Sequence, residues 1–242
     1  MNYGQTVALT LDQDWAPDWA MRYVIEALVE YQVKATWFIT NECESLSLLR
    51  EHADLFELGI HPNFAPNSTH GSTPSEVLAH CMKIVPEATV MRAHGLFLSS
   101  AILIIVMQDT SLMADFSTFM PKSPRQLPAR LQWADRTLWK VPYFWEDDVE
   151  FSLSEPKWSL DEHLQFEEGV AIFNFHPIHI CMDTQTIGQY TECREKLDAF
   201  SRVSMGKEYE PRGSQAIFND LLEFLRGKGS TASQLLAEVT NQ

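Results

Sequence analysis

Val7-Ala8-Leu9-Thr10-Leu11-Asp12-Gln13-Asp14 decides how the rest of the chain is read. Its apolar run, Val7-Ala8-Leu9, predicts a buried first strand, and Asp12 and Asp14 fall where that strand should end. Residues two apart on an extended chain point the same way, so the two carboxylates can share one site. Like charges that close favour a cation beside them, because it removes the repulsion that would raise one of the two pKa values. A solvated acidic strand end is the bland alternative.

Working outward, apolar residues recur at helical spacing from Met21 to Tyr31, with Pro17 where a helix can begin. Lys34 to Thr40 is rich in β-branched and aromatic residues and predicts a second strand. Ser45 to Leu55 reads as helix, Phe56 to Ile60 as a third strand ending at His61, and Pro74 to Ile84 as a helix capped by Ser72 or Thr73. Ala88 to Arg92 predicts a fourth strand. After it come the loop Ala93-His94-Gly95, a helix from Ser99 or Ser100 through Ile105, and a fifth strand over Leu112 to Phe116. Pro121, Pro124 and Pro128 predict loop in the stretch up to Trp158, interrupted by a short strand or ordered aromatic segment over Trp139 to Trp145. Val170 to Phe175 is a further strand, ending at His176-Pro177-Ile178-His179, and helices over Ser214 to Arg226 and Thr231 to Thr240 follow. Asp183 to Pro211 mixes helical pattern with Gly and polar residues and reads as a mobile flap. Strand alternating with helix implies parallel strands with right-handed crossovers, and the expectation is one α/β domain over residues 1–242.

With 242 residues, 45% hydrophobic and 21% charged, the chain can bury one sizeable core. A formal net charge of -15 argues against nucleic acid or an anionic membrane surface as the main partner. The longest apolar run, Ala101 to Met107, is about a third of what a membrane span needs, so no membrane insertion is expected. Neither a basic segment nor a signal-like apolar stretch precedes the first strand, and Cys43, Cys81, Cys181 and Cys193 form no Cys-x-x-Cys pair. Both observations point to a cytoplasmic protein without a zinc ribbon or redox dithiol.

Asp12, Asp14, His61, Arg92 and His176 all fall at the C-terminal ends of predicted strands, the side of a parallel α/β sheet that carries active sites. A single His at a strand end is more often a hydrogen-bonded structural residue; the coincidence is what points to a site. Together these motifs resemble the polysaccharide deacetylase family, also called the NodB-homology or carbohydrate esterase 4 group, over Val7 to about Ile180. Thr10-Leu11-Asp12-Gln13-Asp14 is similar to the family's opening Thr-Phe-Asp-Asp, and Glu57-Leu58-Gly59-Ile60-His61, with His70, to its paired-histidine motif. Arg92-Ala93-His94-Gly95 resembles its Arg motif without the usual Pro-Tyr, and Trp145-Glu146-Asp147-Asp148 its aromatic and acidic motif. Phe173-Asn174-Phe175-His176-Pro177 resembles its last. The run Gly59-Ile60-His61-Pro62-Asn63-Phe64 resembles the WbmS-like branch, and that resemblance implies a role in surface-polysaccharide biosynthesis.

The resemblance implies a NodB-like distorted parallel (β/α) barrel of about seven strands. It also implies a metal-dependent hydrolase that removes an acetyl group from an N-acetylated sugar or glycan precursor. Asp12 would be the general base, kept ionised by Arg92, and His176 the general acid. Asp14, His61 and His70 would hold a divalent metal, zinc by the nitrogen and oxygen donor set. His61 and His70 have eight residues between them, where the family spaces its histidines one helical turn apart, so His94 is a possible alternative ligand. Trp15, His94, Trp145, Asp148 and His179 are the expected substrate-contact residues. Such a metal suits the reaction, because an acetamide is a poor electrophile and the ion both acidifies bound water and polarises the carbonyl. Hydrolysis of another C–N bond, as in allantoinase-like relatives, and a catalytically silent carbohydrate-binding homologue are the competing readings.

Overall fold

The structure is a computed structural model and describes residues 6–121, 123, 125–164, 168–195 and 210–240. Its strands are β1 (Thr6–Asp12), β2 (Ala35–Ile39), β3 (Phe56–Ile60), β4 (Val90–Met91), β5 (Ala114–Phe119), β6 (Arg125–Gln126), β7 (Ala129–Trp133), β8 (Arg136–Tyr143), β9 (Trp145–Glu146) and β10 (Glu168–Phe175). The helices are α1 (Asp18–Tyr31), α2 (Ser45–Glu51), α3 (Pro74–Ile84), α4 (Ser100–Asp109), α5 (Asp147–Glu150), α6 (Pro177–Met182), α7 (Ile187–Glu195), α8 (Ser214–Leu225) and α9 (Ala232–Thr240). Among them, none is long and apolar enough to cross a membrane.

The sheet runs in the order β6-β10-β1-β2-β3-β4-β5-β8-β7, with β9 added beside β10, and every pairing is parallel except the β7–β8 hairpin. Beyond β8 the chain crosses to the far side of the sheet: the Phe144 N–H donates to Ile172 O at 3.2 Å and β9 pairs with β10. The sheet is therefore curled until its two sides meet around an interior, but it is not closed. That is the expected α/β class with a parallel core, in an open rather than a sealed barrel.

Period-two alternation sorts each strand between two apolar compartments. Leu9 and Leu11 of β1, Trp37 and Ile39 of β2, and Phe173 and Phe175 of β10 face outward and pack with Met21, Val24 and Leu28 of α1 and Phe218 and Leu221 of α8. Ala8, Phe38, Val90, Phe116, Tyr143, Val170 and Ile172 face inward. The floor of this interior is supplied by α9, whose Ala232, Leu235 and Leu236 join the same cluster. Polar contacts fix α9 there: the Ala232 N–H donates to Thr36 Oγ1 at 2.7 Å and the Ser233 N–H to Glu57 Oε2 at 2.9 Å. The Glu57 carboxylate thus meets the positive end of the α9 dipole.

Gly59 is the inward residue of β3, and a Cβ there would sit 2.8 Å from a Phe38 ring carbon and 2.9 Å from Val90 Cγ2. Both neighbours are buried, so the interior cannot relax freely. Gly59→Ala is expected to cost about 1–3 kcal/mol of stability by overpacking, read as a lower midpoint in denaturant unfolding.

The stretch from Pro121 to Trp158 differs from its reading as loop with one short strand: it holds the β7–β8 hairpin. β7 is an edge strand whose residues are mostly exposed, so it lacks the inward apolar alternation that marks a strand. Its tight turn uses Ala134 at a φ of +51°, a residue type that gives no turn signal. Within the expected flap over Asp183 to Pro211 lies helix α7; residues 196–209, like Pro124 and residues 1–5, lie outside the described residues.

Candidate active site

The inward columns of β1, β3, β4 and β10 turn polar as they rise. Ala8 gives way to Thr10 and Asp12 on β1, Ile172 to Asn174 and His176 on β10, Gly59 to His61 on β3, and Val90 to Arg92 on β4. Those polar residues are all buried. Arg92 is fully enclosed, its guanidinium 4.5 Å from the Phe38 ring centre and 4.4 Å from that of Tyr143. It donates to Asp12 Oδ1 at 3.0 Å, to Thr10 Oγ1 at 3.0 Å, to the Phe116 carbonyl at 3.1 Å, and to Asn174 Oδ1. Asp12 Oδ2 accepts from Asn174 Nδ2 at 2.9 Å. Burial pushes the Asp12 pKa up, but Arg92, with His61 and His176, outweighs it and leaves the carboxyl below its ordinary value.

After Asp12 the chain bends back. Gln13 points away from the interior, its Oε1 accepting from the Thr40 and Asn41 N–H groups at 2.9 Å each. Asp14, at a φ of +45°, returns to the site. Its Oδ1 lies 3.0 Å from His61 Nε2 and 2.9 Å from His94 Nδ1. Burial would raise the Asp14 pKa, and the contacts with His61 and His94 carry it well below normal instead. His61 Nδ1 lies 2.7 Å from the Arg92 carbonyl, which can only accept, so the neutral ring keeps its hydrogen there. The lone pair on Nε2 then faces a carboxylate oxygen, an arrangement that calls for a proton or a cation between them. One carboxylate oxygen and two imidazole nitrogens converge within 4.8 Å of one another, a donor set that fits a divalent transition-metal ion.

The structure does not bring His70 to Asp14 and His61, and that expectation is corrected. His70 Nδ1 accepts the Asn63 N–H at 3.2 Å and lies 3.5 Å from Cys81 Sγ, while its ring stacks on His80 at 4.9 Å. With Nδ1 used as an acceptor, the neutral ring carries its hydrogen on Nε2 and has no lone pair left to offer a metal. His94 stands where His70 was expected. His94→Ala is therefore expected to weaken zinc binding by more than about 10- to 100-fold, the range for a lost supporting residue, and His70→Ala to leave it near wild type; equilibrium dialysis measures both.

His176 is set on the other flank. Its Nδ1 bonds to Asp147 Oδ1 at 2.7 Å, its backbone N–H donates to Asp147 Oδ2 at 2.9 Å, and its Nε2 reaches to 3.6 Å from Asp14 Oδ2. Burial disfavours the charged ring, but Asp147 outweighs it and raises the His176 pKa well above its usual value. Glu146 Oε2 shares a hydrogen bond with the Tyr143 hydroxyl at 3.0 Å, and its Oε1 accepts from Asn174 Nδ2 at 2.9 Å. Burial, then the Asp148 carboxylate, push Glu146 up to about 8.

The expected substrate contacts separate into three groups. Trp15 remains at the rim, partly exposed, with its ring edge-on to His179 at 6.3 Å. Trp145 and His179 are corrected to wall residues. Trp145 is only 3% exposed, its indole N–H held by Glu150 at 3.1 Å, and it forms part of the cleft wall rather than a projecting platform. Phe151 at 4.9 Å and Tyr190 at 5.2 Å enclose His179, and burial drops its pKa to about 3. Asp148 lies beside His176 and His179, one carboxylate oxygen buried without a hydrogen-bond partner among the described residues. An open cleft of about 790 Å³ lies alongside, bordered by Glu146, Phe119, Phe144, Leu153 and Lys157.

Asp147, Glu146 and Asn174 were not among the expected site residues. Asn174 had a readable signal, since it lies two residues before His176 and must share its face. The triplet Glu146-Asp147-Asp148 drew attention as a motif, but its side chains are sorted by the step from β9 into α5, which the sequence does not display.

The profile of the WbmS-like polysaccharide deacetylase family matches residues 9–194. Among solved structures, WbmS of Bordetella bronchiseptica, described as a polysaccharide deacetylase involved in O-antigen biosynthesis, is 29% identical with a TM-score of 0.74, covering 90% of each chain. Peptidoglycan deacetylase PdaC from Bacillus subtilis is 12% identical with a TM-score of 0.52, covering 98% of this chain and 92% of its own. The carbohydrate esterase 4 pseudoenzyme BA3943 from Bacillus anthracis is 16% identical with a TM-score of 0.51, covering 98% and 67%. These last two likenesses speak to the fold. No curated protein sequence matches the chain.

Proposed function

Because the chain belongs to the WbmS-like polysaccharide deacetylase family, we propose that it hydrolyses the acetamide of an N-acetylated sugar in a glycan precursor. The observation that carries the reading is a base and an acid of opposite character flanking Asp14. Asp12 Oδ2 lies 3.9 Å from His61 Nε2 on one side, and His176 Nε2 lies 3.6 Å from Asp14 Oδ2 on the other. A divalent ion held by Asp14, His61 and His94, zinc by this donor set, would acidify water and polarise the acyl oxygen. Asp12, ionised beside Arg92, accepts the proton of the attacking water. Protonated His176, anchored on Asp147, delivers its Nε2 proton to the leaving nitrogen. The C–N bond breaks, the hydroxyl of water goes to the acyl carbon, and acetate and a free amine result.

The likeness to WbmS supports a surface-polysaccharide precursor as the substrate class. A cytoplasmic site of action belongs to the same proposal. The test is acetate release by zinc-loaded protein from N-acetylated mono- and oligosaccharides, with acetate and amine expected in equal amounts. Glycan binding without acetate would replace this reading with a silent binding protein. Opening of a cyclic amide, with no action on sugars, would point to another C–N hydrolase.

A further inference from the structure

We propose that Glu146 is a positioning residue for Asp12, acting through Asn174, a role that rests on the deacetylase reading. Every hydrogen-bonding capacity of the Asn174 amide is used. Its oxygen accepts from Arg92 and from Thr10 Oγ1 at 3.0 Å, while its nitrogen donates to Asp12 Oδ2 and Glu146 Oε1 at 2.9 Å each. A flipped amide would set its NH₂ against the Arg92 guanidinium, which can only donate, and its oxygen against the Asp12 carboxylate, which can only accept, so the orientation is fixed. Asp12 is thus gripped at one oxygen by Arg92 and at the other by an amide whose second N–H Glu146 holds. Glu146 is itself anchored by the Tyr143 hydroxyl.

The protonation state of Glu146 follows from what faces it. Asp12 on β1, Arg92 beyond β4, Asp148 on α5, His176 beyond β10 and Tyr143 on β8 surround the carboxyl. Arg92 is already committed to Asp12 and His176 to Asp147, so a further negative charge would find no cation of its own among these groups. Glu146 keeps its proton at neutral pH on Oε2, where the Tyr143 hydroxyl oxygen 3.0 Å away can accept it, and through Oε1 serves as an uncharged partner of Asn174. On ionising, it would draw Arg92 and the amide away from Asp12 and raise the pKa of the base.

Turnover, pH dependence and stability of Glu146→Ala and Glu146→Gln test the role. The alanine variant is expected to lose about 10- to 100-fold in kcat, the cost of a base out of place, with metal content unchanged and KM within about two-fold. Glutamine, which keeps the neutral shape, should restore most of that loss and abolish the fall in activity expected of wild type as pH rises through about 8. Because the folded pKa is raised, native protein binds more protons than unfolded protein between the ordinary Glu value of 4.5 and about 8, and its stability falls with pH across that window. The Tm advantage of Glu146→Gln over wild type should therefore widen as pH rises through the window. A glutamine variant as impaired as the alanine one, or a Tm difference flat with pH, overturns the proposal. If wild type releases no acetate from any N-acetylated sugar, the deacetylase reading has failed, and the Tm comparison still decides where the proton is.

Discussion

Asp12→Asn is expected to lower kcat by about 100- to 10,000-fold, the usual worth of a positioned proton acceptor, while metal content stays at the wild-type level. The side chain keeps its shape, and its oxygen can still accept from Arg92. What is lost is basicity, together with the counter-charge of a guanidinium that is fully buried between two aromatic rings. Removing one partner of a buried pair outright costs about 3–5 kcal/mol, so the variant must be melted alongside the kinetic assay to confirm that it is folded at the assay temperature. The amide nitrogen of the new residue would also meet Asn174 Nδ2, donor against donor, where a carboxylate oxygen now accepts at 2.9 Å. Wild-type turnover in the folded variant, or loss of metal from it, would remove Asp12 from the role of base.

Asp14→Asn is expected to cost at least about 100-fold in metal affinity, and activity with it. Asparagine is the sharper probe here because Asp14 stands at a φ of +45°, a left-handed conformation that Asn tolerates and Ala does not. Affinity lost by Asn reports the missing charge between His61 and His94, whereas affinity lost by Ala mixes that charge with backbone strain. His61→Ala should match the loss, since its Nε2 faces the same carboxylate oxygen at 3.0 Å. A full equivalent of tightly held zinc in either variant, measured by elemental analysis after dialysis, would rule out the ligand set.

The parallel core was legible because its inward and outward residues obey a period of two, and the ends of β1, β3, β4 and β10 were legible because each of these columns finishes in an ionisable residue. Asp12, Asp14, His61, Arg92 and His176 come together in space, as their shared position at strand ends suggested. His70 and Trp145 did not follow the sequence reading, for two different physical reasons. His70 is decided by which ring nitrogen a backbone N–H from Asn63 occupies, a detail of loop geometry with no sequence signature. Trp145 lies on a two-residue strand where the chain leaves one side of the sheet for the other, and only the β10 pairing shows that its ring turns outward into the core. The β7–β8 hairpin was missed because an exposed edge strand shows no buried alternation.

The order in which this fold can assemble follows from where β1 stands. It is the strand that ends in the base, yet one of its two partners is β10, with Thr6 facing Val170 across more than 160 intervening residues. Pairings of that separation close late, because a long loop must be ordered before any contact repays it. Throughout synthesis, β1 therefore carries an unmatched edge of Val7, Leu9 and Leu11 that can add to another nascent chain. The centre that depends most on angstrom-level placement thus cannot be complete until β10 has been made and paired, and until then the strand on which it is built keeps an open edge.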